Sequence, residues 1–187
     1  GMLGSFKVTS PLVSVTANRS ASAQLATVKW DDEGVEPPVT TLVKDGVLHD
    51  FQTTREQAAW LAPYYRQIGR PVSSNGCAAS ESAIKITMQH MPNVTLEPGA
   101  SSATLAELIA DVKDGGLIEQ GSVPQVDFQA RNGLLGGKMR KIEQGRLGPA
   151  LESGAIQFNT LDLWRHVTAL GGPATAAVLP FSQYQFF

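Results

Sequence analysis

No apolar run in this chain travels far before it meets glycine or proline. The 187 residues hold 18 glycines and 11 prolines, and the stretches between them are short. Such punctuation predicts a β-rich chain with many turns. The clearest element is "VTTLVKDGVLHDF" (39–51), two β-rich runs around Asp45-Gly46, a pair suited to the positive φ of a two-residue hairpin turn. "KMRKIEQGRLGPALESGAI" (138–156) reads as a second hairpin, turning near Gln144-Gly145. "LATVKW" (25–30), "AIKITMQHM" (83–91, stopped by Pro92) and "QVDFQA" (125–130) read as further strands, and the charged "DDEGVEPP" (31–38) as the turn that ends the first of them.

Three short helices interrupt the strands. "TTREQAAWLA" (53–62) has capping-box spacing at Thr53 and Glu56, with Pro63 after its last turn. "TLAELIADVKDGG" (104–116) has the same box at Thr104 and Glu107. Its Leu105, Leu108, Ile109 and Val112 form one apolar stripe, and Gly115-Gly116 reads as its stop. "NTLDLWRHVTALGG" (159–172) is capped by Asn159 or Thr160 and packs Leu163, Trp164, Val167 and Leu170. The fold class is therefore α+β, with mostly antiparallel strands and about three short helices packed against them. No repeat, coiled coil or low-complexity tract appears. Pro37-Pro38 is too short to be a linker, so residues 1–187 are read as a single domain.

Composition narrows the function classes. Hydrophobic residues make up 42% of the chain, as in a globular soluble protein. The formal net charge of -2 and the pI near 5.9 argue against a broad nucleic-acid surface, which needs clustered Lys and Arg. A single cysteine cannot form an internal disulfide, which points to a reducing, cytoplasmic setting. No apolar run approaches the length of a membrane span. The first residues do not read as a signal peptide, and Gly1 before Met2 reads as the scar of a cleaved expression tag.

Few residues carry chemistry. Cys77 and His90 could be a nucleophile and its base, yet no orienting third group or oxyanion hole has a local signature. The plainer reading puts Cys77 in a Gly/Ser/Ala-rich loop and His90 on a strand. His49, His90 and His166 are scattered over three elements, without the i, i+4 spacing that aims two rings at one zinc ion. Asp31, Asp32 and Glu33 lack the alternate spacing of a calcium loop and read as a solvated turn. "NGLLGGK" (132–138) lacks phosphate-loop spacing and reads as a strand-connecting loop, flexible at a cleft.

Several segments taken in order resemble one family. These are "DDEG", the hairpin "TLVKDGVLHDF", the "NG" loop, "MPNVTLEPGASSATLAELI", "KIEQGRLGPALESGAI" and "NTLDLWRHVTALG". Together they resemble the C-terminal domain of the TldD/PmbA family, the modulators of DNA gyrase, over about 25–172. The resemblance implies a zinc-dependent peptidase acting on peptides or unfolded segments, assembled as homodimers or as heterodimers with a paralogue. In that family a His-Glu-x-x-x-His helix lies upstream, and a cysteine ligand lies near the C-terminus. This sequence has no His-Glu pair, and Gly171, Gly172 and Pro173 stand where the cysteine is expected. No catalytic residue and no metal ligand is therefore carried over, and zinc is expected only in complete members.

The resemblance implies that the strand ended by the Met-Pro motif helps wall a substrate cleft, which makes His90, Met91 and Asn93 candidates for peptide contact. Three readings remain open. One is a non-catalytic or truncated family domain, or a late-started gene model, acting in peptide or protein binding or assembly. The second is part of a working zinc peptidase whose ligands come from upstream or from another chain. The third is a plain peptide-binding module. No nucleic-acid or membrane partner is expected. Self-association is expected through "FKVTSPLVSV" (6–15) and "AVLPFSQYQFF" (177–187).

Overall fold

A computed structural model describes residues 2–177. The chain divides into two compact units. One comprises Val13–Glu97 with the segment up to Lys7, and the other Pro98–Ala177 with Val8–Leu12. Strands outnumber helices and every strand pairing is antiparallel. The helices are four and short, which bears out the β-rich α+β class.

The first unit holds a four-stranded sheet. Strands β1 (Val15–Ala17), β2 (Thr40–Lys44) and β3 (Val47–Leu48) are joined at its far edge by β6 (Val94–Leu96), in the order β3-β2-β1-β6. The β2–β3 turn is the one expected: Asp45 and Gly46 have φ of 48° and 82°. A small pair, β4 (Ala78–Ala79) with β5 (Met88–Gln89), lies between them in sequence. Only these two residues of the strand expected over 83–91 enter a ladder, and His90 follows just past it.

Helices α1 (Arg55–Trp60) and α2 (Ala62–Gln67) replace the single helix expected over 53–62. Leu61, with ψ of 0°, separates them, and Pro63 opens the second helix rather than stopping the first. The capping box also shifts by one residue, to Thr54 and Gln57. The reason is a contact with residues more than twenty positions away. The Thr53 hydroxyl accepts from the Asn75 N–H at 3.0 Å, and the Thr53 carbonyl accepts from Ser74 Oγ at 2.9 Å. Thr53 is thus tied to another loop, and the cap falls to its neighbour.

The segment 25–30 is a loop, not the expected strand. Its backbone groups are taken one by one. The Asn93 side chain accepts from Ala26 N–H at 2.9 Å, the Arg19 carbonyl accepts from Val28 N–H at 2.8 Å, and Arg19 Nε donates to the Ala26 carbonyl at 3.2 Å. These bonds take the middle of the segment away from a ladder, and Leu25 stands in solvent.

The second unit is a three-stranded meander with helices against it. Strands β7 (Asp114–Val126), β8 (Asn132–Glu143) and β9 (Arg146–Asn159) are long and paired in sequence order. The β8–β9 turn falls at Gln144-Gly145 as expected, with φ of 48° and 74°. Three expectations are corrected. The Gly115-Gly116 pair does not end a helix. Helix α3 (Leu105–Ala110) stops earlier, and both glycines pair with β8 opposite Ile142 and Lys141. Residues 127–131 form the β7–β8 turn instead of a strand, because the Asp127 carboxylate accepts from the N–H groups of Gln129, Arg131 and Asn132. The glycine-rich 132–138 is not a loop but the start of β8. A Cβ on Gly133 would stand 2.8 Å from the Phe158 ring across the ladder, so small residues there admit a cross-strand aromatic. Helix α4 (Thr160–Arg165) is capped by Asn159, whose Oδ1 accepts from Asp162 N–H at 3.2 Å. A 3-10 turn, Pro173–Thr175, follows.

The packing of the first unit turns on a carboxylate. Asp50, just past β3, has a fully buried side chain. It accepts from Tyr65 Oη at 2.7 Å, from Phe51 N–H at 2.8 Å, from Asn75 Nδ2 at 3.2 Å, and from Arg70 Nη1 in an ion pair. Arg70 also lies over the Tyr65 ring, 4.7 Å from its centroid, and donates to Asn75 Oδ1 at 2.6 Å. Burial, reinforced by the bond to Asp50, pushes the Tyr65 phenol up, so it remains a donor at neutral pH. Removing one partner of a buried ion pair leaves the other uncompensated. Asp50→Ala should therefore cost about 3 kcal/mol or more, and Tyr65→Phe about 1–2 kcal/mol, in urea unfolding. An Asp50→Ala variant as stable as the parent would contradict the role given to this carboxylate.

Candidate functional site

The loop 73–77 brings Cys77 and His90 together through the backbone. The His90 N–H donates to the Cys77 carbonyl at 2.8 Å, and the next residues pair as Ala78 opposite Gln89. Gly76 makes the loop possible. Its φ is +67°, and a Cβ there would stand 2.6 Å from Pro37 Cα. The buried Arg19 guanidinium donates to the Gly76 and Ala78 carbonyls at 2.9 and 3.2 Å. Asp31 holds the same strand from its N–H side, accepting from Ala78 at 3.1 Å and from Val35 at 2.8 Å. The acidic run 31–33 forms a turn, as expected, but its carboxylates are tied to the scaffold. Asp31 is buried, Asp32 accepts from Ser80 N–H at 2.6 Å, and Glu33 accepts from Arg55 N–H at 2.7 Å.

Cys77 is a loop residue, as expected, but a buried one. Its Sγ donates to the Asn75 carbonyl at 3.6 Å. Burial pushes the thiol up from 9.0 to about 11, with the Arg19 guanidinium opposing only in part. At neutral pH this sulfur is a protonated, enclosed group. It is unsuited to attack a carbonyl or to bind a metal, both of which need the thiolate.

The three residues expected to contact peptide differ in what their side chains are doing. Asn93 is spent on scaffold: its amide donates to the Asn18 carbonyl at 2.8 Å and accepts from Ala26 N–H. His90 is half-buried, and Met91 is 60% exposed. The segment just before Met91 in the sequence carries exposed apolar side chains that periodicity did not single out. Ile84, Ile86 and Met88, two residues apart, are 96%, 88% and 71% exposed. A shallow cavity of about 290 Å³ sits in the same unit, lined by Leu42, Leu48, Phe51 and the hydrogen-bonded amides of Gln52 and Gln89. Its chemistry is apolar contact plus amide hydrogen bonding, the mixture that holds an extended peptide.

The second unit carries a larger groove of about 730 Å³. It is lined by Leu108 of α3, by Asp111 and Val112 just past that helix, by Phe158 of β9, by Asp162 and Leu163 of α4, and by His166. His166 Nδ1 lies 2.7 Å from the Asp162 carbonyl.

A family model for the PmbA/TldA metallopeptidase C-terminal domain matches residues 1–180. The chain belongs to this family. It is 26% identical to a metalloprotease of Methanocaldococcus jannaschii over 171 residues, which is 88% of this chain and 34% of that protein. It is 33% identical to a zinc metalloprotease TldD homologue of Saccharolobus solfataricus over 92 residues, 49% of this chain and 18% of that one. Among solved structures it superimposes on TldE of Thermococcus kodakarensis with a TM-score of 0.71 at 20% identity, covering 92% of this chain and 36% of the other. A Thermotoga maritima protein named for modulation of a DNA gyrase gives a TM-score of 0.70 at 24% identity over 92% and 36% of the two chains. At such identities the structural likeness speaks to the fold alone. The chain spans about a third of the length of most of these relatives.

The family's zinc finds no fitting donor set in this domain. Among the described residues no three His, Cys, Asp or Glu side chains come together to hold a metal ion, and the one thiol is protonated and enclosed. Purified protein dialysed against trace zinc should retain well under one equivalent by elemental analysis; about one tightly held zinc per chain would contradict this. The Cys77 thiol should react with a disulfide reagent at about pH 8 at least about a hundredfold slower in the folded protein than in concentrated urea. Its raised folded value also sets a pH dependence. The stabilising contribution is complete below pH 9.0, where the thiol is protonated in both states, and is lost as pH rises toward about 11. A Cys77→Ala variant should lose that part of the alkaline destabilisation. An unchanged slope of stability against pH would show the thiol is not enclosed in solution.

Proposed function

We propose that this domain is the non-catalytic C-terminal part of a PmbA/TldD-type assembly, working by binding peptide or protein segments and by association with like chains. The observation that carries the reading is the line Ile84, Ile86 and Met88, standing 71–96% exposed just before Met91 in the sequence. Apolar side chains set at alternate positions along one segment bury nothing within their own unit. Covering them recovers roughly 25 cal/mol per Å², and contiguous apolar surface on a soluble domain marks a contact site. Strand β6 adds to it, with Val94 and Leu96 each more than two-fifths exposed and its place at the edge of the sheet among the described residues.

A second reading draws on one observation, that the metalloproteases it resembles are about three times as long as the stretch it matches. On this reading the domain belongs to a zinc peptidase whose His-Glu-x-x-x-His helix is supplied by another segment or another chain, and its share of the work is to hold substrate against that centre. Both readings give His90 and Met91 the same place, on a wall that an extended peptide touches.

Of the segments expected to meet a partner, 6–15 buries Val13 completely, while 178–187 lies outside the described residues. Light scattering over a wide dilution series tests the assembly. A dimer mass at micromolar concentration is expected, and Ile86→Asp with Met88→Asp should shift it to monomer with an unchanged circular dichroism spectrum. A monomer at every concentration for the parent chain would refute association between like chains.

A further inference from the structure

The groove of the second unit carries chemistry that the exposed line of the first does not. Much of its lining is apolar: Leu108 from α3, Val112 just past that helix, Phe158 from β9 and Leu163 from α4. Leu163 is 41% exposed although it lines the groove, so the groove is open where an amphipathic helix normally closes over its neighbour. The volume of about 730 Å³ lies within the range of about 300–1,000 Å³ typical of ligand clefts. Two carboxylates stand among the lining residues, with His166: Asp111 at the C-terminal end of α3, and Asp162 in the first turn of α4. No lysine or arginine stands among the described residues that line the groove. An occupant must therefore match an apolar lining and two carboxylates together.

We propose that this groove docks a segment of a partner polypeptide in which one or two leucine-sized side chains are flanked by lysine or arginine. The apolar side chains fill the space between Leu108, Phe158 and Leu163, and the cationic group comes to rest between Asp111 and Asp162. Charge complementarity decides the chemistry. An acidic or purely apolar segment would bring a like charge, or nothing, against two carboxylates, and like-charge juxtaposition is the stronger discriminator at an interface. The long aliphatic stems of lysine and arginine suit such a lining, since they lie along apolar surface and keep the charge at its edge. The proposal rests on reading the chain as a binding domain, but it concerns a different surface from the exposed line at Ile84, Ile86 and Met88.

The test uses the full chain and a fluorescein-labelled synthetic peptide of leucine and lysine, with leucines spaced to form one face of a helix. Two comparison peptides carry glutamate in place of lysine, or serine in place of leucine. Fluorescence anisotropy should show saturable binding of the leucine–lysine peptide, with each comparison peptide at least about tenfold weaker. Asp111→Asn with Asp162→Asn should weaken binding by about tenfold and flatten its salt dependence. Leu163→Ser should weaken it comparably, and Glu36→Gln, which removes one carboxylate in the other unit, should leave it unchanged. Circular dichroism and the melting temperature of each variant check that the fold is retained. Absence of binding, equal binding of the glutamate peptide, or an equal loss with Glu36→Gln would each overturn the proposal. So would a lowered mass of the Asp111→Asn, Asp162→Asn chain in light scattering, because the groove would then be occupied by a second copy. If the leucine–lysine peptide binds as described while the parent chain remains monomeric, the groove stands and association between like chains falls.

Discussion

The buried Asp50 carboxylate decides how the first unit folds. Four donors reach it, from Phe51 beside it, Tyr65 of α2, Arg70 beyond that helix, and Asn75 of the following loop. The unit has little apolar core to do this work. Among its largest fully enclosed side chains, Thr53 and Asp50 stand with Tyr65, Val13 and Cys77. A buried charge is costly unless its hydrogen bonds are complete. Here they are complete, and the chain is held to the one arrangement that satisfies them. Everything that the candidate wall presents follows from it: Asn75 positions Gly76 and Cys77, and Cys77 receives the N–H of His90.

Local signals in the sequence were legible where the chain answers to its near neighbours. Asp45-Gly46 and Gln144-Gly145 make the expected turns because two positive φ values are needed there whatever surrounds them. Thr104 and Glu107 cap α3 because their partners lie three residues apart. The reading failed where a distant side chain took over the backbone. Asn93 and Arg19 hold 25–30 as a loop although its residues alternate like a strand. Thr53 is claimed by Asn75, so the helix begins one residue later than its capping box predicts. Gly115-Gly116 looks like a helix stop, and the ladder with β8 makes it strand.

The candidate site was legible to a smaller degree. The Met-Pro motif drew attention to His90, Met91 and Asn93, yet the Asn93 amide is occupied by the scaffold, and the more exposed apolar groups are Ile84, Ile86 and Met88. Their alternation reads as an ordinary half-buried strand, since nothing in the sequence says which face is covered. The groove beside α3 was hidden for a related reason. Leu108, Val112 and Leu163 belong to apolar stripes that predict packing, and only the structure shows that they stop short of closing on each other. The buried thiol of Cys77 was hidden too, because a Gly/Ser/Ala-rich loop gives no sign in the sequence of what encloses it.

The measurement that bears most directly on this account combines binding with cleavage. The chain is incubated, with zinc supplied, with a fluorescent, reduced and carboxymethylated unfolded protein. Anisotropy follows association, and mass spectrometry follows the length of the substrate. The account predicts saturable association with every substrate chain intact after prolonged incubation. Cleavage that depends on zinc and survives further purification would contradict it, as would a complete lack of association.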